Sequence, residues 1–116
     1  MRASVAYWTI NENHSLTELA AQLLREPGSF LCVDIHTPTK LDVMAEMASE
    51  GSNIYLHLAR LAPYQRREGL VDLPYLLHQK MLLFDYPGDD AELWIGSHNW
   101  TGRALEGLNI ESSIVL

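Results

Sequence analysis

His78 and Lys80 stand two residues apart in the segment His78-Gln79-Lys80-Met81-Leu82-Leu83-Phe84-Asp85, and Gly96-Ser97-His98-Asn99 follows downstream. An imidazole can attack phosphorus or pass a proton near neutral pH. An ammonium group beside it can hold the anionic oxygens of a phosphoryl group. The short region therefore gathers a nucleophile, a phosphate-binding cation and an amide-bearing turn. On a strand, side chains two apart share a face. The spacing predicts a strand over residues 76–85 whose one face carries His78 and Lys80, followed by Leu82 and Phe84.

The elements that must position this segment are legible around it. Ser4 to Ile10 predicts a first strand, broken by Asn11-Glu12-Asn13-His14. Ser15 with Glu18 makes a capping box, and Leu16, Leu19, Ala20, Leu23 and Leu24 recur at helical spacing. Residues 16–26 are expected to be a helix that Pro27-Gly28 ends. Phe30 to Ile35 is almost continuously apolar, as in a strand covered on both sides. Leu41, Met44, Ala45 and Ala48 predict a second helix, opened by Thr37-Pro38 or Thr39 and stopped by Gly51, with Met44 and Met47 in the core. Asn53 to Ala59 supplies a third strand. The order β-α-β-α-β argues for an α/β layered domain.

Residues 60–77 are interrupted by Pro63, Gly69 and Pro74, and Tyr64-Gln65-Arg66-Arg67 reads as a loop beside the site or a short helix. Tyr86-Pro87-Gly88-Asp89-Asp90 is a turn, and Ala91 to Ile95 resumes an apolar strand, so the strands on either side form a hairpin. Thr101 to Leu105 starts a brief helix broken at Gly107, and Ile110 to Leu116 is a last strand.

The chain of 116 residues suits one domain over residues 1–116, and its 47% hydrophobic content excludes a disordered chain. No apolar stretch is long enough to span a bilayer, and the start has no signal-peptide layout, so the expected location is cytoplasmic. Cys32 is the only cysteine, which excludes an internal disulfide and a cysteine-rich metal site. Within Phe30-Leu31-Cys32-Val33 it is expected to act as a small buried hydrophobe. The net charge of −7 disfavours a non-specific nucleic-acid coat protein. Yet Arg60, Arg66, Arg67 and Lys80 are half of the eight basic residues and cluster just before or inside the candidate site.

His78-Gln79-Lys80 with Asp85 resembles the signature of the phospholipase D superfamily: a histidine, any residue, a lysine, four residues and an aspartate. Gly96-Ser97-His98-Asn99 is similar to the family's glycine-serine-any-asparagine turn at the exit of the next strand. Asn109-Ile110-Glu111 is similar to its later asparagine-any-glutamate. The resemblance covers residues 76–111. It implies a phospholipase D-like layered domain with a mixed β-sheet flanked by helices. It further implies two-step attack on a phosphodiester, with His78 forming a phosphohistidine and a second histidine protonating the leaving oxygen before activating water. Lys80 and Asn99 would hold the non-bridging oxygens, Ser97 would add a hydroxyl, and Glu111 would orient the imidazole. No metal or other cofactor is implied. Asp85 would be a structural partner of the site.

The family assembles two such motifs around one pocket, and this chain carries one. Its small nucleases solve this by homodimerising, which implies a homodimer with the active site at the two-fold interface. A different chain carrying the second motif is the alternative partner. The stretch between Asp85 and Gly96 is longer than the family's usual one, and a longer hairpin turn can absorb it at small cost. The chain ends at Leu116 inside the expected last strand, where small family members continue into a helix, which leaves open a domain truncated at its C-terminus.

Small single-motif members resemble nucleases most closely, so the expected substrate is the backbone of DNA or RNA, with little base specificity. The alternatives are a lipid or small phosphodiester, or an inactive binding module. Tyr64, Arg66 and Arg67 are the candidate substrate readers. Trp100 would wall the cleft, stack on a base or pack beneath the turn, while Trp94 is expected in the core. His98 falls at a variable family position. His14 is expected at the surface, His57 packed or at an edge, and His36 beyond a strand, with nothing demanding that the three bind zinc.

Overall fold

The computed structural model describes residues 1–35, 38–57, 79–97 and 113–116, together with Leu77, Trp100 and the backbone of Arg66–Arg67 and Leu70–Val71. The strands are β1 (Arg2–Val5), β2 (Phe30–Asp34), β3 (Ile54–His57), β4 (Arg66–Arg67), β5 (Leu70–Val71), β6 (Met81–Phe84), β7 (Glu92–Gly96) and β8 (Ser113–Val115). The helices are α1 (Ser15–Leu24) and α2 (Leu41–Ser49). Among the described residues, six strands form one mixed sheet in the order β3-β2-β1-β6-β7-β8, and β4 pairs with β5 in a separate antiparallel ribbon.

β1 is the seam of the sheet. On one side it runs parallel to β2, with Ala3 opposite Leu31 and Val5 opposite Val33. On the other it runs antiparallel to β6, with Ala3 opposite Leu82 and Ser4 opposite Met81. The two crossovers, through α1 and α2, step the same way along the sheet. Right-handed connections then place both helices on one face. A cleft of about 130 Å³ between them, lined by Thr17 and Ala21 of α1 and Val43 and Met47 of α2, shows that they are neighbours.

That face carries the core. Ala3, Val5, Leu31 and Val33 point from the sheet towards Ala20, Ala21 and Leu24 of α1 and Val43, Met44 and Met47 of α2. Each fully buried Val or Leu contributes roughly 1.5–3 kcal/mol by leaving water. The expected methionine packing is therefore present. The expected face of α2 is rotated, however. Val43 rather than Leu41 is buried, and Ala45 and Ala48 face water. Short alanines match a helical period without a large apolar area to commit them to the core.

α1 begins one residue before its expected start. His14 is the N-cap, and its Nδ1 accepts the Leu16 N–H at 3.1 Å. This satisfies one of the orphan amides of the first turn. Ser15 is the first helical residue rather than a cap. Beyond α1, Gly28 takes φ 79°, a backbone value suited to glycine.

β1 is shorter than its apolar run. The chain bends at Ala6, and the Asp34 amide donates to the Ala6 carbonyl at 3.3 Å. The inward positions change from Ala3 and Val5 to Trp8 and Ile10, both buried. One extra residue thus shifts the alternation by one, as a β-bulge does. The hairpin of β6 and β7 is present, with Met81 opposite Ile95 and Phe84 opposite Glu92. Its turn holds Asp85 at φ 53° and a hydrogen bond from the Gly88 amide to the Asp85 carbonyl at 2.6 Å. The last strand, expected over residues 110–116, is described from Ser113. The brief helix expected after Thr101 lies outside the described residues. Among the described residues, no helix is long and apolar enough to cross a membrane.

Candidate functional site

Lys80 and Gly96 are the two fixed points of the site. The Gly96 amide donates to the Lys80 carbonyl at 3.2 Å, immediately beyond the Met81–Ile95 pair that begins the β6–β7 ladder. Lys80 and Ser97 therefore stand at the same end of adjacent strands. Lys80 is half-buried and Ser97 exposed. This brings the lysine of the first motif beside the glycine-serine turn of the second. His78, Asn99, Glu111 and Tyr64 lie outside the described residues, as do His36, His98 and Arg60. Arg66 and Arg67 occupy β4, opposite Val71 and Leu70.

Past Ser97 the chain reaches β1. The Trp100 amide donates to the Tyr7 carbonyl at 3.1 Å, and the Thr9 amide donates to the Trp100 carbonyl at 2.8 Å. This is a parallel bridge between Trp8 and Trp100. The Trp8 amide is 3.4 Å from Thr39 Oγ1, and the Trp8 carbonyl accepts from Lys40 at 2.8 Å, both from the segment that follows β2. Trp100 consequently lies on the other side of the chain, in the lane that β6 would occupy if it continued. The two indoles stack, with centroids 4.5 Å apart. Trp100 packs against Trp8, which takes one of its ring faces.

This occupancy explains why the strand expected over residues 76–85 begins only at Met81. Its lead-in is displaced onto the face of the sheet opposite the helices. There, Ser4 Oγ donates to Gln79 Oε1 at 3.4 Å, and the Leu77 amide donates to Asp34 Oδ2 at 3.3 Å. Leu77, Gln79 and Lys80 are not in a strand, and the expected sharing of one face by His78 and Lys80 turns on His78, which lies outside the described residues. Asp34 is completely buried at the carboxyl end of β2, opposite His57 of β3. Its contact with Leu77 joins residues far apart in sequence, and no local spacing around Asp34 marks it.

Asp85 is not brought to Lys80. It sits in the turn at the far end of β6, roughly 16 Å along the chain at the usual strand rise. It lines a separate cavity of about 410 Å³ with Arg2, Gly28, Ser29 and Tyr86. The longer stretch before Gly96 is accommodated at that end too, so it leaves the register beside Lys80 intact.

Other residues singled out by type are placed as follows. Trp94 is 41% exposed, with Nε1 donating to Glu92 Oε2 at 3.1 Å, because it lies on β7 beyond the reach of the helices. Cys32 is only half-buried, and its thiol is pushed up from its ordinary value by burial and then by the charge of Asp34. His14 is committed to capping α1. His57 is half-buried, and its Nδ1 makes no hydrogen bond with the described residues. Among the described residues, no three histidine, cysteine or acidic side chains are grouped to hold a metal ion.

Compared with models of known protein families and with curated proteins, the chain matches none of them.

Proposed function

We propose that this chain is a phosphodiesterase of the phospholipase D type, cleaving the backbone of DNA or RNA through a phosphohistidine at His78. The observation that carries the reading is the 3.2 Å hydrogen bond from the Gly96 amide to the Lys80 carbonyl, which aligns the two motif segments at one end of the sheet. The mixed sheet flanked by helices supports the finer expectation of that family's layered fold.

In this reading His78 attacks phosphorus and the bond to the leaving oxygen breaks. A second histidine gives that oxygen its proton. Lys80 and Asn99 hold the non-bridging oxygens, Ser97 adds a hydroxyl, and Glu111 orients the imidazole. Water, deprotonated by the second histidine, then cleaves the phosphorus–nitrogen bond and restores His78. Positioned cationic and amide donors stabilise the phosphoryl charge. Arg66, Arg67 and Tyr64 contact the polyanion.

The second histidine comes from a second copy of the chain. Ile95 and Ile114 support this reading, because they pair across β7 and β8 next to Gly96 and remain 40% and 63% exposed. A second copy would remove that apolar pair from water.

The test is cleavage of labelled single- and double-stranded DNA and RNA in excess EDTA, with His78→Ala protein alongside. Cleavage by the wild type that disappears in the variant is expected. Equal cleavage by both proteins would sink the assignment. No cleavage by either would shift the function to a lipid or small phosphodiester, or to binding alone.

A further inference from the structure

We infer that Asp34 is a positioning residue that holds the chain on the amino-terminal side of His78. The inference rests on the reading of His78 as the reacting group.

A fully buried carboxylate is costly unless hydrogen bonds compensate it. Asp34 has no exposed surface, and its Oδ2 accepts the N–H of Leu77, the residue immediately before His78. The need for that acceptor follows from the topology. Trp100 occupies the lane beside Tyr7 and Thr9, so the lead-in to β6 is denied the ladder partners that β1 would otherwise offer. A backbone amide leaving a ladder needs another acceptor. Asp34 supplies one from β2, across the end of β1.

A second tether follows His78. Ser4 Oγ donates to the side chain of Gln79 at 3.4 Å on the same face of the sheet. The chain is thus held at both neighbours of His78, from two adjacent parallel strands. The Asp34 contact is the more constraining, because it holds backbone rather than a flexible side chain. Reacting groups misplaced by about 1 Å can lose about a hundredfold in rate, so a backbone anchor beside a nucleophile acts on turnover.

The experiment compares wild type, Asp34→Asn and Asp34→Ala. Asn keeps the volume and an amide oxygen but removes the charge, so a folded protein with a weakened anchor is expected. Amide hydrogen exchange at Leu77 should quicken from wild type to Asn to Ala, while exchange at Leu31 and Val33 stays unchanged. On labelled single-stranded DNA, kcat should fall by about tenfold or more with KM within about twofold. Unchanged Leu77 exchange in Asp34→Asn would overturn the anchor, whether or not Asp34→Ala folds. Faster Leu77 exchange with unchanged kcat would overturn the positioning role. If the wild type cleaves no DNA or RNA, the nuclease reading fails separately. Leu77 exchange and the ring resonances of His78 then decide the anchor alone, and an unmoved His78 ring in Asp34→Asn would refute it.

Discussion

Trp8 and Trp100 stack with ring planes 15° from parallel, and their backbones are bridged at the same point. Trp8 is wholly buried, whereas Trp100 is half-buried. The pair joins the end of β1 to the segment that leaves β7. Trp8→Ala should cost about 3–5 kcal/mol in urea unfolding, the range for truncating a buried aromatic. A double-mutant cycle with Trp100→Ala should return a coupling of about 0.5–1.5 kcal/mol. Strict additivity would show that the stacking carries no energy of its own.

The β6–β7 turn offers a test of how far the site is insulated from the rest of the sheet. A Cβ placed on Gly88 would stand 2.8 Å from the Asp85 carbonyl oxygen, so backbone must shift to admit it. Gly88→Ala should therefore lower stability by about 1–3 kcal/mol. Thermal unfolding measures this. At temperatures where the variant remains folded, cleavage should be unaltered, because the turn lies at the opposite end of β6 from Lys80. A parallel loss of turnover would show that the strand transmits the strain.

Cys32 makes a prediction with a definite sign. Burial first, and the Asp34 charge second, raise its thiol pKa. The folded protein then keeps a proton that the unfolded chain releases at lower pH. The resulting stability is complete below the unfolded thiol's pKa, near about 8.5, and is lost as pH rises towards the folded value. Iodoacetamide at about pH 8 should modify native protein more slowly than urea-unfolded protein. Asp34→Asn should hasten native labelling, since it removes the second cause and leaves the first. No acceleration would assign the protection to burial alone.

The exposed Ile95–Ile114 pair bears on assembly. Light scattering should give twice the chain mass for the wild type. Ile95→Glu together with Ile114→Glu should give a single-chain mass and no cleavage, because two carboxylates would have to be desolvated in the interface. A wild type of single-chain mass at assay concentration would contradict the two-copy site.

Much of the α/β half was legible from sequence because its signals are local. The stripe from Leu16 to Leu24, the break at Pro27-Gly28 and the apolar run from Phe30 each report on their own neighbourhood. The hairpin around Tyr86–Asp90 was legible for the same reason. The His14 cap was not, since Ser15 offers the more familiar capping side chain one residue later. The orientation of α2 was not either, because Ala45 and Ala48 satisfy the helical period from the solvent side. Trp94 looked internal by residue type, but β7 extends past the helices that make the core. Lys80 and Gly96 were expected near one another from motif order. Asp34 was missed because its partner, Leu77, is brought to it only by the competition between β6 and Trp100 for the edge of β1.

The position of β1 also shapes how the chain is made. It is made before either of its sheet neighbours, and its parallel neighbour β2 follows after one helix. Its antiparallel partner does not: Ser4 must wait for Met81 and Arg2 for Leu83. Until β6 is made, the second edge of β1 presents unpaired amides and carbonyls, a template for pairing with another nascent chain. Arg2 places a charge at the start of that edge, where it discourages such pairing. A slow stage in biogenesis is thus expected when the antiparallel half docks, and shielding by a chaperone would be most useful before that moment.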